Sequence, residues 1–257
     1  MKELTFIHLS DPHVLAPNKQ LFVRGVNTET QFCHCQKVLL NTETNAAFTL
    51  ISGDLIHDGD ETDYRHLKKL LDDGAAKSHI PYMLALGNHD TRRSFRSVFL
   101  QEKNSNRAYY HSTTIQGIRF IVLDSMIPGK VEGTIDEEQL EWLENLLKTE
   151  AKAGTVIIMH HPPVKEHFIN KEQFGQVIKN TDVIGILSGH IHRYSQFYFN
   201  SIPCFTVNST AYGMVKINEN ITTTTKLTGY NIVTVKNKKL FVQPQTVTTD
   251  KPYLLSV

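Results

Sequence analysis

The sequence predicts an α/β protein whose C-terminal part is rich in β-strands. Short apolar runs alternate with amphipathic helical patterns over most of the 257 residues, and strand and turn signals dominate from about residue 194 onward. We predict a single domain over residues 1–257, because no linker, repeat or low-complexity block divides the sequence. Its motif-bearing core would cover about residues 4–210. Residues 211–257 would form an extension that completes a sheet or provides a dimer or lid element.

The strands of the core are predicted from apolar runs rich in Ile, Val, Leu and Phe. These runs are LTFIHL (4–9), AFTLIS (47–52), PYMLAL (81–86), IRFIVL (118–123), TVIIMH (155–160) and VIGILS (183–188). Because the runs are apolar on both faces, we expect strands that are covered on both sides.

The helices between them are predicted from apolar residues three and four positions apart. These residues are Phe32, Cys35 and Leu39 in the first helix, Tyr64, Leu67 and Leu71 in the second, and Leu140, Leu143 and Leu147 in a later one. Thr134 and Glu137 have the spacing of a capping box just ahead of the last helix. The tail differs: SQFYF, IPCFTV, YNIVTV and KLFVQP, with ITTTTK between them, predict antiparallel strands and hairpins rather than further βαβ units.

Composition excludes several classes of protein. The net charge of +1 provides no basic field, so we expect neither a nucleic-acid polymer nor an anionic membrane as a partner. The start, MKELTFIHLSD, leads directly into a strand pattern, and no run approaches about 18 apolar residues, which argues against export and membrane spanning. Cys33, Cys35 and Cys204 cannot all pair, which favours a reducing cytoplasm. Cys33 and Cys35 lie two apart in a predicted helix and point to different faces, so this pair is not expected to bind a metal.

Polar side chains collect at the ends of five predicted strands. The motifs, in order, are SDPH (Asp11, His13), SGD (Asp54), GNHD (Asn88, His89, Asp90), HHPP (His160, His161) and SGHIH (His190, His192). Functional groups of α/β sheets lie in the loops at the carboxyl ends of strands. Asp11 with His13, and His190 with His192, are spaced two apart, which in an extended chain directs both side chains to one side.

These residues predict a site for two metal ions. Two carboxylates, four imidazoles and one amide are too many ligands for one tetrahedral ion. Nitrogen and oxygen donors without sulfur favour Mn, Fe, Zn, Co or Ni. One carboxylate oxygen can be shared by two ions about 3.5–4 Å apart, so Asp54 is expected to bridge them. An imidazole nitrogen has a single lone pair, so His190 and His192 would be terminal ligands.

The ordered motifs D-x-H, G-D, G-N-H-D, H-H-P-P and G-H-x-H resemble those of the calcineurin-like metallophosphoesterase superfamily over roughly residues 4–210. GDLIHDGDETDY, GNHDTRRSFRSVF and IIMHHPP look most like class III cyclic-nucleotide phosphodiesterases and bacterial glycerophosphodiesterases. The resemblance implies a four-layer αββα sandwich of two mixed sheets flanked by helices, with the metals at its edge.

The resemblance also implies a role for each residue. Asp11, His13, Asp54 and His192 would bind one metal, and Asp54, Asn88, His160 and His190 would bind the other. The substrate would contact Asn88, His89 and His192. A hydroxide on the metals would attack phosphorus, Asn88 would help to neutralise phosphate oxygens, and His89 would protonate the leaving alkoxide. Many relatives have Asp or Asn three residues after the bridging Asp, where this sequence has His57; Asp58 follows it.

Other polar residues are expected to be structural. His161 is predicted to support the turn before two prolines. His8, His34, His66, His79, His111 and His167 are predicted to be ordinary residues. Arg92, Arg93 and Arg96 are predicted to form a solvated basic face, with a contact to substrate as the alternative; Arg24 and Arg193 are weaker candidates for such a contact.

The predicted function is hydrolysis of small phosphodiesters by a cytoplasmic enzyme with two divalent ions (Mn, Fe or Zn), with 3′,5′-cyclic nucleotides (cAMP or cGMP) as first candidates. A glycerophosphodiesterase or a broad monoesterase and diesterase are alternatives. A non-catalytic scaffold on the same fold is the alternative from another class, and a homodimer is one candidate assembly.

Overall fold

Two β-sheets lie face to face between two layers of helices. The computed structural model describes residues 3–19, 22–23, 26–42, 44–216 and 222–247. The helices are α1 (Thr28–Leu40), α2 (Glu61–Ser78), α3 (Arg92–Phe99), α4 (Glu137–Leu147) and α5 (Lys171–Ile178), and a short 3₁₀ turn spans Pro17–Lys19. The strands are β1 (Leu4–Leu9), β2 (Phe22–Val23), β3 (Val26–Asn27), β4 (Thr49–Ser52), β5 (Tyr82–Ala85), β6 (His111–Ile115), β7 (Ile118–Val122), β8 (Thr155–Ile158), β9 (Val183–Ser188), β10 (Ser195–Phe199), β11 (Ile202–Thr206), β12 (Gly213–Lys216), β13 (Thr222–Thr225), β14 (Thr228–Lys236) and β15 (Lys239–Val247).

Both large sheets are mixed, as predicted. The first has the strand order β15-β14-β1-β4-β5, and the second has the order β10-β11-β9-β8-β7-β6. The strands β1, β4 and β5 are parallel, and so are β7, β8, β9 and β11. The pairs β2–β3 and β12–β13 form two small sheets of their own.

Alternation along the strands explains the four layers. In β1, Leu4 and Phe6 face the second sheet, whereas Ile7 and Leu9 face the helices α1, α2 and α3. The apolar faces of α4 and α5 cover the outer side of the second sheet. The central strands of both sheets are therefore buried on both faces, which is the reason these strands are apolar throughout.

Carboxylate side chains set the start of two helices. Asp60 accepts a hydrogen bond from the Thr62 N–H at the start of α2, and the Asp63 carboxylate accepts one from the Asp60 N–H, which completes a capping box. The predicted capping box of Thr134 and Glu137 is wrong.

The helix α4 begins at Glu137 and is capped instead by Asp136, whose side chain accepts from the Gln139 N–H. Thr134 lies too far upstream to cap it, and its hydroxyl donates to Asn170 Oδ1 (2.7 Å).

The C-terminal part departs from the prediction in one respect. The pairs β10–β11, β12–β13 and β14–β15 are antiparallel hairpins, but β11 also pairs with β9 in parallel. Strand β14 lies beside β1 in antiparallel register, so residues 228–247 add two strands to the first sheet. The polar strand β6 was not predicted, because its residues alternate at the edge of the second sheet and lack an apolar run.

Within the described residues, no helix combines the length and the apolar character that crossing a membrane requires.

Gly74, inside α2, is expected to reduce stability. An added Cβ would meet only the end of the flexible Gln36 side chain, which can move aside. Because glycine is a poor helix former, Gly74→Ala should raise the free energy of unfolding by about 0.5–1 kcal/mol in a urea titration. Gly117→Ala is the matched control: its φ of +84° is unfavourable for alanine, so it should lose about 1–2 kcal/mol. A loss of stability in Gly74→Ala would contradict the expectation that glycine at this position reduces the stability of the protein.

Candidate metal centre

The predicted site residues converge at one edge of the molecule, where the carboxyl ends of strands from both sheets meet. Asp11 and His13 follow β1, Asp54 follows β4, and Asn88 and His89 follow β5 of the first sheet; His160 follows β8, and His190 and His192 follow β9 of the second sheet. Neither sheet supplies the whole set.

The first group of donor atoms comes from Asp11, His13, Asp54 and His192, all of them buried. The Nε2 atoms of His13 and His192 lie 3.1 Å apart. His192 Nε2 is 3.3 Å from Asp11 Oδ1, and His13 Nε2 is 3.8 Å from Asp54 Oδ2. The structure therefore brings together the residues predicted for one ion.

The second group comes from Asp54, Asn88, His160 and His190. His160 Nε2 lies 3.3 Å from Asp54 Oδ2, and His190 Nδ1 lies 3.1 Å from Asn88 Oδ1. The Asp54 Oδ2 atom is thus close to a histidine of each group. This is the position that a shared ligand requires.

The hydrogen bonding of the donor atoms indicates that they fit divalent cations. His160 Nε2 is buried and makes no hydrogen bond among the described atoms. The Nε2 atoms of His13 and His192 lie 3.1 Å apart, close enough that both could bind one cation. A cation would accept the lone pair of His160 Nε2, and nitrogen and oxygen donors without thiolate suit Mn, Fe or Zn.

Charge in the site is arranged around the carboxylates. Burial would raise the pKa of Asp11, but the neighbouring His192 and His160 rings hold it well below its usual range. Burial likewise opposes ionisation of His160, yet the carboxylates of Asp54 and Asp11 raise its pKa to about 9. The carboxylates of Asp54 and Asp11 thus stabilise positive charge at the position of the His160 ring.

The backbone presents the ligands in a conformation that the spacing did not predict. Asp11, His13, Asp54, His190 and His192 all have positive φ, between 46° and 70°. The pairs spaced two apart are therefore not extended, and the predicted reason for their convergence is wrong. Each left-handed residue costs roughly 1 kcal/mol or more, and such strain is concentrated at functional sites.

Two glycines in the motifs allow the loops to approach closely. A Cβ at Gly87 would collide with the Asp54 carboxylate, and a Cβ at Gly189 would collide with Ser10 Oγ. The His190 N–H, next to Gly189, donates to the Asp11 carboxylate at 3.1 Å. Gly87 is therefore required by the contact between two loops of the first sheet, and Gly189 by the contact between loops of the two sheets.

Asp90, the last residue of GNHD, connects the two ligand loops of the first sheet. Its carboxylate accepts hydrogen bonds from the N–H groups of Leu55, Ile56 and Gly87 and from the Tyr64 hydroxyl. Burial and the nearby Asp54 carboxylate raise the pKa of Asp90 to about 7, against the effect of these donors. Asp90 therefore fixes the loop that contains Asp54 relative to the loop that contains Asn88.

Comparison with known proteins agrees with this geometry. The sequence model of the calcineurin-like phosphoesterase family matches residues 4–194. The chain belongs to the calcineurin-like phosphoesterase family. The resemblance inferred from the motifs and the prediction of an enzyme that hydrolyses phosphoric esters are both confirmed.

Similar curated proteins have related names. A probable cyclic nucleotide phosphodiesterase of Rhodococcus erythropolis is 30% identical over 80% of this chain and 70% of its own length. A cAMP/cGMP dual specificity phosphodiesterase of Mycobacterium tuberculosis is 30% identical over 82% of this chain and 68% of its own. A probable glycerophosphodiester phosphodiesterase, GpdQ, of Arcobacter nitrofigilis is 28% identical over 80% and 78%.

Solved structures confirm the fold. Purple acid phosphatase PPD1 from yellow lupin has a TM-score of 0.68 at 14% identity, with 98% of this chain and 53% of that chain covered. GAP50, the anchor in the inner membrane complex of Plasmodium, has a TM-score of 0.66 at 16% identity, with 100% and 88% covered. At such identities the likeness concerns the fold alone.

Beside the donor groups of this phosphoesterase lies a third set of side chains: His57, Asp58 and His89. His89 Nδ1 is 3.1 Å from Asp58 Oδ1, and the His57 ring stacks on the His89 ring at 4.3 Å. Asp58 therefore provides a carboxylate next to His89, a contact that could not be predicted from the sequence. His57 Nδ1 instead lies 3.1 Å from His13 Nδ1.

His161 supports the structure, as predicted. Its Nδ1 bonds to Ser125 Oγ at 2.8 Å and its Nε2 bonds to the Val131 carbonyl at 3.0 Å, so both nitrogens already have partners. His167, predicted to be an ordinary residue, contacts a residue of the second donor group. Its Nδ1 lies 3.1 Å from His190 Nε2, and only its position in a loop close to HHPP could have suggested this contact.

The arginines after GNHD do not form a solvated face. Arg92 donates two hydrogen bonds to the buried Asp124 carboxylate at the end of β7, and Arg96 is buried against Glu102. Only Arg93 is exposed, and it bonds to Asn104 Oδ1. Arg193 lines the groove described below, and Arg24 lies outside the described residues.

A groove of about 900 Å³ opens over the donor groups. Asn88, His89 and His192, the residues predicted to contact substrate, all line it. Its other walls combine apolar and aromatic side chains with a few charges, namely Val131, Glu132, Val164, Glu166, Arg193, Phe197, Tyr212 and Met214. This volume and composition are those of a small-molecule site.

Asp90→Asn tests the connection between the ligand loops. The asparagine NH₂ group would face N–H donors, which leaves two buried donors without an acceptor. We expect a loss of about 2–4 kcal/mol in the free energy of unfolding and weaker binding of added Mn²⁺. The variant Asp73→Asn changes an exposed carboxylate of α2 and should have neither effect. Wild-type stability in Asp90→Asn would refute this role.

Proposed function

We propose that the protein is a phosphodiesterase that binds two divalent cations and hydrolyses small phosphodiesters, with 3′,5′-cyclic nucleotides as the first candidates. The observation that supports this most directly is the pair of donor groups that share Asp54 Oδ2 beneath an open groove. One group would consist of Asp11, His13, Asp54 and His192, and the other of Asp54, Asn88, His160 and His190. When bound, such cations lower the pKa of water and neutralise charge on a phosphoryl group.

The residues of the chain itself would orient the substrate and move the proton. Asn88 and His192 line the groove and would contact phosphate oxygens. The His89 N–H donates to Asp54 Oδ1 at 2.9 Å, which ties the backbone of His89 to the shared carboxylate. The backbone of His89 is therefore held beside the donor groups.

His89 would act as the general acid. Its Nδ1 is engaged by Asp58, which leaves Nε2 as the nitrogen that can give a proton to the leaving oxygen. The side chain is 31% exposed, so the substrate can reach it and solvent can return the proton. This function requires the protonated ring, and a carboxylate at Nδ1 orients that ring toward the substrate.

The substrate class rests on the relatives and on the groove. The names of the R. erythropolis and M. tuberculosis relatives support cyclic nucleotides as the first candidates for this chain, and the name of the A. nitrofigilis relative supports glycerophosphodiesters as the second. Apolar and aromatic walls such as Phe197, Tyr212 and Met214 suit a nucleobase better than glycerol. The deciding experiment is a panel assay with cAMP, cGMP, a glycerophosphodiester and a phosphomonoester on enzyme of defined metal content.

A non-catalytic scaffold is the alternative from another class, since GAP50 shares the fold. The complete donor set argues against it here. Hydrolysis of bis(p-nitrophenyl) phosphate that disappears on chelation and returns with Mn²⁺ would exclude the scaffold, whereas no metal-dependent turnover would favour it. Cytoplasmic location and a homodimer stay proposals, the first in keeping with the free thiols of Cys33, Cys35 and Cys204.

Asp54→Ala should remove both cations. Because Oδ2 is close to both donor groups, its loss should lower metal content at both positions and abolish activity, as measured by plasma mass spectrometry and by the diester assay. Asp58→Ala is the matched control: it removes an exposed carboxylate beside the site and should retain two cations. Two tightly bound cations in Asp54→Ala would refute the shared ligand.

His89→Ala should keep the cations but slow turnover by about 10²–10⁴-fold. The loss should be large for alkyl leaving groups and small for p-nitrophenolate, which leaves without a proton. Asp58→Ala should show the same dependence on the leaving group with a smaller loss. Equal losses for both kinds of leaving group would contradict the general-acid role.

A further inference from the structure

Each histidine of the two donor groups has one ring nitrogen directed at the centre and one directed away. The nitrogen directed away is hydrogen-bonded in all four cases. A neutral imidazole that gives a lone pair to a cation must carry its proton on the other nitrogen. The partner of that nitrogen therefore decides whether the ring is held in the tautomer that can bind.

Two of these partners are backbone carbonyls. His160 Nδ1 donates to the Ser52 carbonyl at 2.9 Å, and His192 Nδ1 donates to the Tyr212 carbonyl at 2.9 Å. A carbonyl oxygen can only accept, so it fixes the tautomer of both rings without help from a side chain.

The other two partners are imidazoles. His13 Nδ1 lies 3.1 Å from His57 Nδ1, and His190 Nε2 lies 3.1 Å from His167 Nδ1. For His13 and His190 to bind a cation, each must donate a proton outward. His57 and His167 must then accept through Nδ1 and carry their own protons on Nε2.

The fold holds both accepting rings in place. The His57 ring stacks on His89 at an interplanar angle of 20°. The His167 carbonyl accepts from the Gly133 N–H at 2.9 Å, and the next residue, Phe168, is buried in the core of the second sheet. The two residues thus belong to separate loops, each beside one donor group.

We propose that His57 and His167 are positioning residues, one for each donor group, which fix the metal-binding tautomers of His13 and His190. This inference rests on the proposed cation sites. It implies that each donor group contains one histidine fixed by the backbone and one fixed by a replaceable side chain. Outer partners of metal-binding histidines typically change metal affinity by about 10–100-fold.

Substitution of His57 or His167 by asparagine or glutamine distinguishes this positioning role from a packing role. The Oδ1 atom of asparagine lies the same number of bonds from the backbone as Nδ1 of histidine, so it can replace the acceptor. The glutamine oxygen lies one bond farther away. We therefore compare His57→Asn with His57→Gln, His167→Asn with His167→Gln, and alanine at both positions.

The experiment is a calorimetric titration of the metal-free enzyme with Mn²⁺ and Zn²⁺, with thermal unfolding as a check of the fold. In His57→Ala and His167→Ala, one of two cations should bind about 10–100-fold more weakly while the other keeps its affinity. The two asparagine variants should retain near wild-type affinity and the glutamine variants should not. If an alanine variant does not fold, the comparison of asparagine with glutamine decides.

Two results would overturn the proposal. One is wild-type affinity for both cations in the folded alanine variants. The other is equal affinity in the asparagine and glutamine variants. A wild-type protein that binds no pair of cations would instead refute the proposed function, so the two failures are distinguishable.

Discussion

The packing of one sheet against the other is the constraint on which the site depends. Between the sheets, the Phe6 ring stacks on Phe48 at 4.7 Å and meets the edge of Phe120 from the second sheet at 5.5 Å. This apolar contact brings the carboxyl ends of β1, β4 and β5 next to those of β8 and β9. Since Asp11 and Asp54 belong to one sheet and His160 and His192 to the other, no pair of ions could be bound without it.

The chemistry of the site opposes the stability of the fold around it. Two buried carboxylates and three buried imidazoles are costly to desolvate, and the backbone of Asp11, Asp54 and most of the histidines is strained into left-handed conformations. Hydrogen bonds beneath the site offset part of that cost, including those of Asp90 to the loops of the first sheet and the two from Arg92 to Asp124. Cations would offset more, because they neutralise Asp11 and Asp54 and engage the His160 nitrogen that lacks a hydrogen bond.

The sequence was sufficient to predict which residues meet, but not how. Apolar runs that end in Asp, His or Asn reveal the strand ends, and strand ends of an α/β sheet lie together, so the donor set could be predicted. The left-handed backbone of Asp11 and His190 results from contacts between loops far apart in sequence, which spacing cannot reveal. The same is true of His167, whose partner is 23 positions away, and of the parallel pairing between β9 and β11.

The fold by itself does not establish catalysis. A phosphatase and an anchor protein share it with this chain at 14–16% identity, so the architecture serves more than one purpose. What distinguishes an enzyme from a scaffold here is the free-energy cost of burying charged and polar groups at the edge of the two sheets. A scaffold has no reason to keep Asp54 buried between His13 and His160, or to leave His160 Nε2 without a hydrogen bond among the described residues. Replacing such groups by apolar residues is often neutral or stabilising. The burial of these carboxylates and imidazoles at one position is therefore the strongest physical argument for the proposed cation sites.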